Sequence, residues 1–145
     1  MSISRLMARL CLLLLVLPFT APLVAEELEH DTLQIVREVS LQEYEPPSDG
    51  KVTQDQIDEF IRIAQRAASL ETRHMASSHA SLLARIEAVA LENGNWAEHQ
   101  WVRSQLMQTV VTRTMANPSL DDASRHNDAL FEANKDRLRA IMDVP

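Results

Sequence analysis

The stretch "TQDQIDEFIRIAQRAAS", residues 53–69, decides the fold of this chain. Thr53 followed three residues later by Gln56 is the pattern of a capping box, in which each side chain bonds the other residue's backbone N–H at a helix start. Behind this cap, apolar residues recur at the spacing of one helical face, at Ile57, Phe60, Ile61, Ala64 and Ala68. The stretch therefore predicts an amphipathic α-helix that begins near residue 54.

Three predicted helices follow from this starting point. The apolar stripe continues through Leu82, Ile86 and Val89 to Gly94, which places the first helix at about 54–93. Asn95 is a cap for a second helix over 96–116, and Ser119 is a cap for a third over 120–142.

The first of these helices is long enough to raise the question of a break near 76–80. A straight helix over 54–93 would extend about 60 Å, which exceeds the dimensions of a compact domain of this size. However, the segment contains neither Gly nor Pro, and serine costs only about a few tenths of a kcal/mol relative to alanine. The sequence slightly favours a continuous or gently kinked helix, and a break would give a four-helix bundle.

Composition supports an all-α fold. The chain has only two glycines, so tight hairpins are scarce and a β-rich fold is disfavoured. Pro46-Pro47 and Asp49-Gly50 indicate a linker with a turn. We expect an antiparallel helical hairpin or bundle of three to four helices over 53–145, preceded by a short N-terminal segment and Pro-rich linker at 26–52.

Residues 1–25 have the pattern of a cleaved signal peptide. Arg5 and Arg9 precede the apolar run Leu10–Leu17, and Ala25 is the small residue that signal peptidase requires before the cut. The apolar run is shorter than the roughly 20 residues of a spanning helix. We therefore expect a periplasmic or secreted protein with no stable membrane insertion after cleavage.

Export would leave a chain without cysteine, because the only cysteine, Cys11, lies inside the apolar run. Disulfides, thiolate nucleophiles and cysteine-based metal sites are then excluded. Residues 1–25 contain two arginines and no acidic residue, so residues 26–145 carry 12 basic and 21 acidic side chains, a net charge of −9. Such an acidic chain should be repelled by nucleic acid.

Catalysis is not predicted, and neither is a cofactor. The sequence contains no G-x-S-x-G and no H-E-x-x-H motif. With two glycines and short connections, few loops are available to build a preorganised pocket. A role in binding is therefore expected.

Four residues are the candidates for contact with a protein partner or a second copy of the chain. Trp96 lies near the apolar face of its helix, whereas Trp101 projects about 140° from that face. Trp101 contacts either a partner or the segment 31–45. Asn127 and Asn134 lie in the apolar stripe of the last helix, where buried amides can fix register or partner choice.

A metal- or haem-binding bundle is the alternative. On a continuous helix, Glu71, Met75 and His79 form one row on or near the buried face, while His74 turns toward solvent. His79 would be the ligand, with Met75 or Glu71 nearby. The Glu71-x-x-His74 spacing of di-iron bundles occurs once, although such sites use it on two helices.

The segment "VTQDQ", residues 52–56, is similar to the Leu-Thr-x-x-Gln motif of small all-helical periplasmic chaperones of the Spy type. The similarity covers five residues in one copy, with Val52 in place of leucine, where the family carries two copies. The resemblance implies a short, exported, dimeric chaperone. Together with the residues above, it leads us to expect an exported protein-binding or chaperone/adaptor-like module.

Overall fold

The structure is a computed structural model that describes residues 32–115 and 120–142. The chain divides into Met1–Gln34, of which residues 32–34 are described and helical, and Ile35–Pro145, which contains the helical domain. The predicted signal peptide at 1–25 and the predicted cap Ser119 lie outside the described residues.

All regular structure in the described residues is helical, so the all-α prediction is confirmed. The order is α1 (residues 32–40), α2 (Gln54–Leu70), a 3₁₀ helix (Glu71–His74), α3 (Ala80–Leu91), α4 (Trp96–Thr114), α5 (Asp122–Ala133) and α6 (Lys135–Met142). The predicted number of three to four helices is too low, because the first and third predicted helices are each divided in two.

The capping box at the start of α2 is present as predicted. The Thr53 hydroxyl accepts from the Gln56 N–H at 3.3 Å, and Gln56 Oε1 accepts from the Thr53 N–H at 2.9 Å. Gln56 Nε2 also donates to Glu98 Oε1 at 2.6 Å and to the Tyr44 hydroxyl at 2.9 Å. The same side chain therefore caps α2 and ties its first turn to α4 and to the segment before α2.

The first predicted helix breaks at residues 71–79, where the 3₁₀ helix and a turn reverse the chain. The slight preference for a continuous helix is wrong. Glu71 accepts a hydrogen bond from Ser81 Oγ at 2.6 Å at one end of the hairpin, and Arg66 pairs with Glu92 at 3.2 Å toward the other. These two contacts join residue 71 to residue 81 and residue 66 to residue 92. The chain therefore runs in opposite directions through α2 and α3, and the two helices are antiparallel.

Burial explains a break that local propensity does not require. The hairpin buries Ile63 and Leu70 of α2 against Ala84, Ile86 and Val89 of α3. A straight helix would leave much of this apolar surface in water, at a cost of about 25 cal/mol per Å². That loss exceeds the few tenths of a kcal/mol that separate serine from alanine.

The third predicted helix is divided at Asn134, which caps the C-terminus of α5. Asn134 Nδ2 donates to the Leu130 carbonyl at 3.0 Å and to Gln54 Oε1 at 3.0 Å. Asparagine competes with the helical backbone in this way. The single helix predicted over 120–142 is therefore wrong, because the contact with α2 holds this side chain against its own backbone.

Two hydrophobic clusters share α2 between them. The first cluster packs α2 against α4, α5 and α6, and it consists of Val52, Ile57, Phe60, Ile61, Val102, Leu106, Phe131 and Leu138. The second packs α1 and the hairpin, and it consists of Val39, Ile63, Leu70, Ala84, Ile86, Ala88 and Val89. Residues 35–52 thus belong to the same compact unit as the later helices.

The turn after α3 brings Gly94 close to two side chains of α2. A Cβ atom there would lie 2.9 Å from Glu59 Oε1 and 3.1 Å from Ile63 Cδ1. Asn93, with φ of 54°, takes the left-handed conformation that ends the helix. Within the described residues, no helix is both long and apolar enough to cross a membrane.

Candidate binding surface

Both tryptophans pack against the chain itself. Trp101 is half-buried on the first cluster, and its ring lies 5.7 Å from that of Tyr44. Trp96 packs on the second cluster, and its backbone N–H donates to Gln42 Oε1 at 2.7 Å. The segment around Gln42 and Tyr44 therefore covers part of the surface that each tryptophan would offer to a partner.

Asn127 lies inside the fold. Its Oδ1 accepts from the Val52 N–H at 2.9 Å, and its Nδ2 donates to the Gly50 carbonyl at 3.1 Å and to Gln105 Oε1 at 3.4 Å. The amide therefore satisfies the backbone of the segment leading into α2 and fixes the register of α5 against it.

The amide of Asn134 is buried and fully used within the chain. Besides its two donated bonds, Oδ1 accepts from Gln54 Nε2 at 3.1 Å and from Arg137 Nη1 at 3.0 Å. An amide group has four hydrogen-bonding positions, and all four are occupied. The structure thus places both asparagines at contacts between helices of one chain.

The two histidines of the hairpin turn are placed the opposite way from the prediction. His74 is buried and lies 2.7 Å from Glu87 Oε2, whereas His79 is exposed. The predicted orientation assumed about 100° of rotation per residue through the whole segment. Because α2 ends at Leu70 and a 3₁₀ helix follows, the α-helical rotation per residue no longer applies between Leu70 and His79.

Glu71, Met75 and His79 therefore do not form a buried row. All three are exposed, and Met75 retains 71% of its accessible surface. Over residues 32–115 and 120–142, no group of three His, Cys, Asp or Glu side chains is placed to hold a metal ion. Nothing in the geometry of the turn favours the metal- or haem-binding alternative.

His99 is the most unusual side chain of the domain. It is 4% exposed and stacks between Phe60, at 5.0 Å between ring centroids, and Trp96, at 5.9 Å. Neither ring nitrogen has a hydrogen-bond partner among the described groups. Burial, together with the charges of Arg85 and Arg103, lowers the pKa of His99 to about 4. The imidazole is therefore neutral near pH 7.

An exposed apolar row runs along α4. Met107, Val111 and Met115 are 42%, 47% and 75% exposed, and they follow one another at intervals of four residues. Side chains at this spacing lie on one face of a helix. The opposite face of α4 is buried through Val102 and Leu106, so the helix is apolar on both sides.

The part of α4 that carries Met107 and Val111 has no charged side chain of its own. The segment "SQLMQTVVT", residues 104–112, has no acidic or basic side chain, although 24% of the whole chain is charged. Beyond it, Arg113 pairs with Asp128 and Glu132 of α5 and lies 5.0 Å over the Phe131 ring. Arg113 therefore joins α4 to α5 through two ion pairs, at a position between Val111 and Met115 in the chain.

The sequence analysis did not identify the exposed row of α4 or the unpaired His99, for different reasons. The spacing of Met107, Val111 and Met115 is visible in the sequence, but it cannot be assigned to the outer face while Val102 and Leu106 make a second stripe. His99 lies near the predicted stripe, yet its lack of a partner depends on residues of α2 and α3.

Comparison of the chain with protein-family models, with curated proteins and with solved structures found no match.

Proposed function

We propose that the protein is an exported, non-catalytic binding module of the chaperone or adaptor kind that holds a partner protein on α4. The observation that carries the proposal is the exposed row Met107, Val111 and Met115, whose first two members lie in an uncharged segment of α4. Contiguous exposed apolar surface is a mark of interaction sites. Methionine adapts its shape to different partners, which suits a chaperone or adaptor.

The charge of the chain favours one kind of partner. The net charge is −7 over the whole sequence, which opposes self-association and attracts basic surfaces. An amphipathic helical segment with a basic polar face therefore fits the chain better than a second copy. Its basic face would lie toward the Val111 and Met115 end of the row, because Arg85 and Arg103 line a cleft at the Met107 end. Anchors spaced by four residues match the way in which helices dock in apolar grooves.

A defined peptide tests the proposal. A basic amphipathic helical peptide should bind the purified protein, and an acidic peptide with the same apolar residues should bind much more weakly. Val111→Gln and Met115→Gln each remove an anchor and should weaken binding by about 1–2 kcal/mol, roughly five- to thirtyfold. Titration calorimetry measures the change.

Leu91→Gln is the matched control, because Leu91 is also an exposed apolar side chain but lies at the end of α3. It should leave the affinity unchanged. Equal binding by the wild type and the two α4 variants would contradict the proposed surface. If light scattering shows a dimer and Val111→Gln makes it dissociate, the surface binds a second copy of the chain and not a basic partner.

Export is proposed on the signal-peptide pattern of residues 1–25. Mass spectrometry of the protein recovered from the periplasm or the medium should give a chain that begins at Glu26. A full-length chain retained in the cytoplasm would contradict this part of the proposal.

A further inference from the structure

A cleft of about 240 Å³ opens between α2, α3, α4 and α6. Its walls include the apolar side chains Phe60, Met107 and Ile141, and His99 contributes to its lining. Two cationic side chains, Arg85 of α3 and Arg103 of α4, complete the lining. The cleft thus combines an apolar interior with two positive charges.

These arginines lack the acidic partners that other arginines of the domain have. Arg62, Arg66, Arg73, Arg113 and Arg137 each lie within ion-pair distance of a carboxylate. Over the described residues, no ion pair or hydrogen bond is formed by the side chain of Arg85 or of Arg103. In a chain with 21 acidic and 14 basic side chains, two unpaired arginines beside one cleft are unexpected.

The positive charges around the cleft repel one another. Burial lowers the pKa of Arg85, and the charge of Arg103 lowers it further. Glu71 acts on Arg85 in the other direction, but its carboxylate is exposed and accepts from Ser81. Both arginines also disfavour a charge on the buried His99. A single anion placed between the two guanidinium groups would relieve all of these repulsions.

We propose that the cleft binds an organic anion, a carboxylate or phosphate monoester with a short apolar chain. Its charged group is held by Arg85 and Arg103, and its chain packs against Phe60, Met107 and Ile141. Planar guanidinium groups suit both kinds of oxyanion. The volume equals about eight water molecules at roughly 30 Å³ each, which limits the chain to a similar number of heavy atoms.

The site overlaps the proposed partner surface at Met107 alone, which lines the cleft and also belongs to the exposed row. Binding of the anion needs the two arginines and not Val111 or Met115. The two proposals can therefore fail independently, since the arginine variants test one and the variants of Val111 and Met115 test the other.

Titration calorimetry with defined probes tests the site. Octanoate or octyl phosphate should bind with one-to-one stoichiometry and weaken as salt is added, because salt screens the attraction. Inorganic phosphate, which lacks the chain, should bind at least tenfold more weakly, and octylammonium should not bind. The ratio of octanoate to octyl phosphate affinity identifies which oxyanion the cleft prefers.

Arg85→Gln and Arg103→Gln should each weaken binding of the preferred probe by roughly ten- to a hundredfold, the range for losing charge-assisted hydrogen bonds. Arg125→Gln, on the exposed surface of α5, is the control and should have no effect. Arg103 is exposed, so its variant remains folded even if loss of the half-buried Arg85 perturbs the domain.

Three results would overturn the proposal. These are the absence of saturable binding by either octyl probe, unchanged affinity in Arg103→Gln, and inorganic phosphate binding as tightly as octyl phosphate. Methyl shifts of Met107 and Ile141 on titration, seen by NMR, would support the position of the chain. Shifts confined to residues elsewhere would count against it.

Discussion

The burial of His99 predicts a specific loss of stability in mild acid. The pKa of His99 is about 4 in the folded protein, against about 6.5 for an unperturbed histidine. As the pH falls below the unfolded value, the unfolded chain binds a proton that the folded chain excludes. The contribution of the neutral imidazole is therefore fully present above about pH 6.5 and is lost progressively down to about pH 4.

The magnitude follows from the difference between the two pKa values. Each unit corresponds to about 1.36 kcal/mol, so the complete loss is about 3 kcal/mol. Between pH 7 and pH 5.5, where only part of the unfolded population is protonated, the free energy of unfolding should fall by about 1.2 kcal/mol through this group alone. A change of this size is a substantial fraction of the stability of a small domain.

Urea denaturation followed by circular dichroism over this pH range is the assay. The wild type is compared with His99→Leu, which cannot titrate, and with His79→Gln, which removes an exposed histidine. Glu59 acts in the opposite direction, because burial raises its pKa and its protonation in acid favours the folded state. Since His99→Leu retains Glu59, the difference between the two curves isolates His99.

The stability of the wild type relative to His99→Leu should therefore decline by about 1 kcal/mol from pH 7 to pH 5.5. His79→Gln, which retains His99, should likewise lose stability relative to His99→Leu. If the curves of the wild type and His99→Leu run parallel over this interval, His99 is not held neutral by its surroundings and the reasoning is refuted.

Three further changes test contacts between helices by urea denaturation. Asn134→Ala should lower the free energy of unfolding by about 1–3 kcal/mol. A double-mutant cycle with Gln54→Ala should give a coupling energy of at least about 0.5 kcal/mol, and additive losses would show that the paired amides do not interact. Glu87→Ala should lower the free energy of unfolding by about 1–3 kcal/mol, because it leaves the buried His74 without its partner. Arg73→Ala, at an exposed ion pair with the same carboxylate, should change it by less than about 1 kcal/mol, and equal losses would contradict the prediction. Gly94→Ala should cost about 1 kcal/mol, because the ends of the Glu59 and Ile63 side chains must shift to admit its Cβ, and a neutral effect would mean that both side chains move aside freely.

The starts of α2 and α4 could be predicted because they depend on neighbouring residues, whereas α5 begins at Asp122 and is capped by Asp121, not by the predicted cap Ser119. Thr53 and Gln56 form their capping box with each other, and Asn95 accepts from the N–H of Glu98 three residues later. Helix α4 begins at Trp96 as predicted and ends at Thr114, close to the predicted residue 116. Such local hydrogen bonds need no information about the rest of the chain.

The candidate contact residues could be located but not interpreted. Asn127 and Asn134 were correctly placed on the apolar side of the last helices, and both are buried. Their partners include Val52, Gly50 and Gln54, which lie more than 70 residues away in the sequence. Spacing along one helix cannot distinguish a contact within the chain from a contact with another protein.

What the sequence alone determined is the helical class of the domain, its acidic charge and the capped starts of α2 and α4, since periodicity, composition and capping are properties of short segments. Only the tertiary structure decided where the long helices break. It also decided that His74 and His99 are buried while His79 and the row from Met107 to Met115 face outward. The physical reason is that burial depends on surfaces brought together from distant parts of the chain. In the hairpin, the apolar area shared by α2 and α3 outweighs the small local preference for one continuous helix.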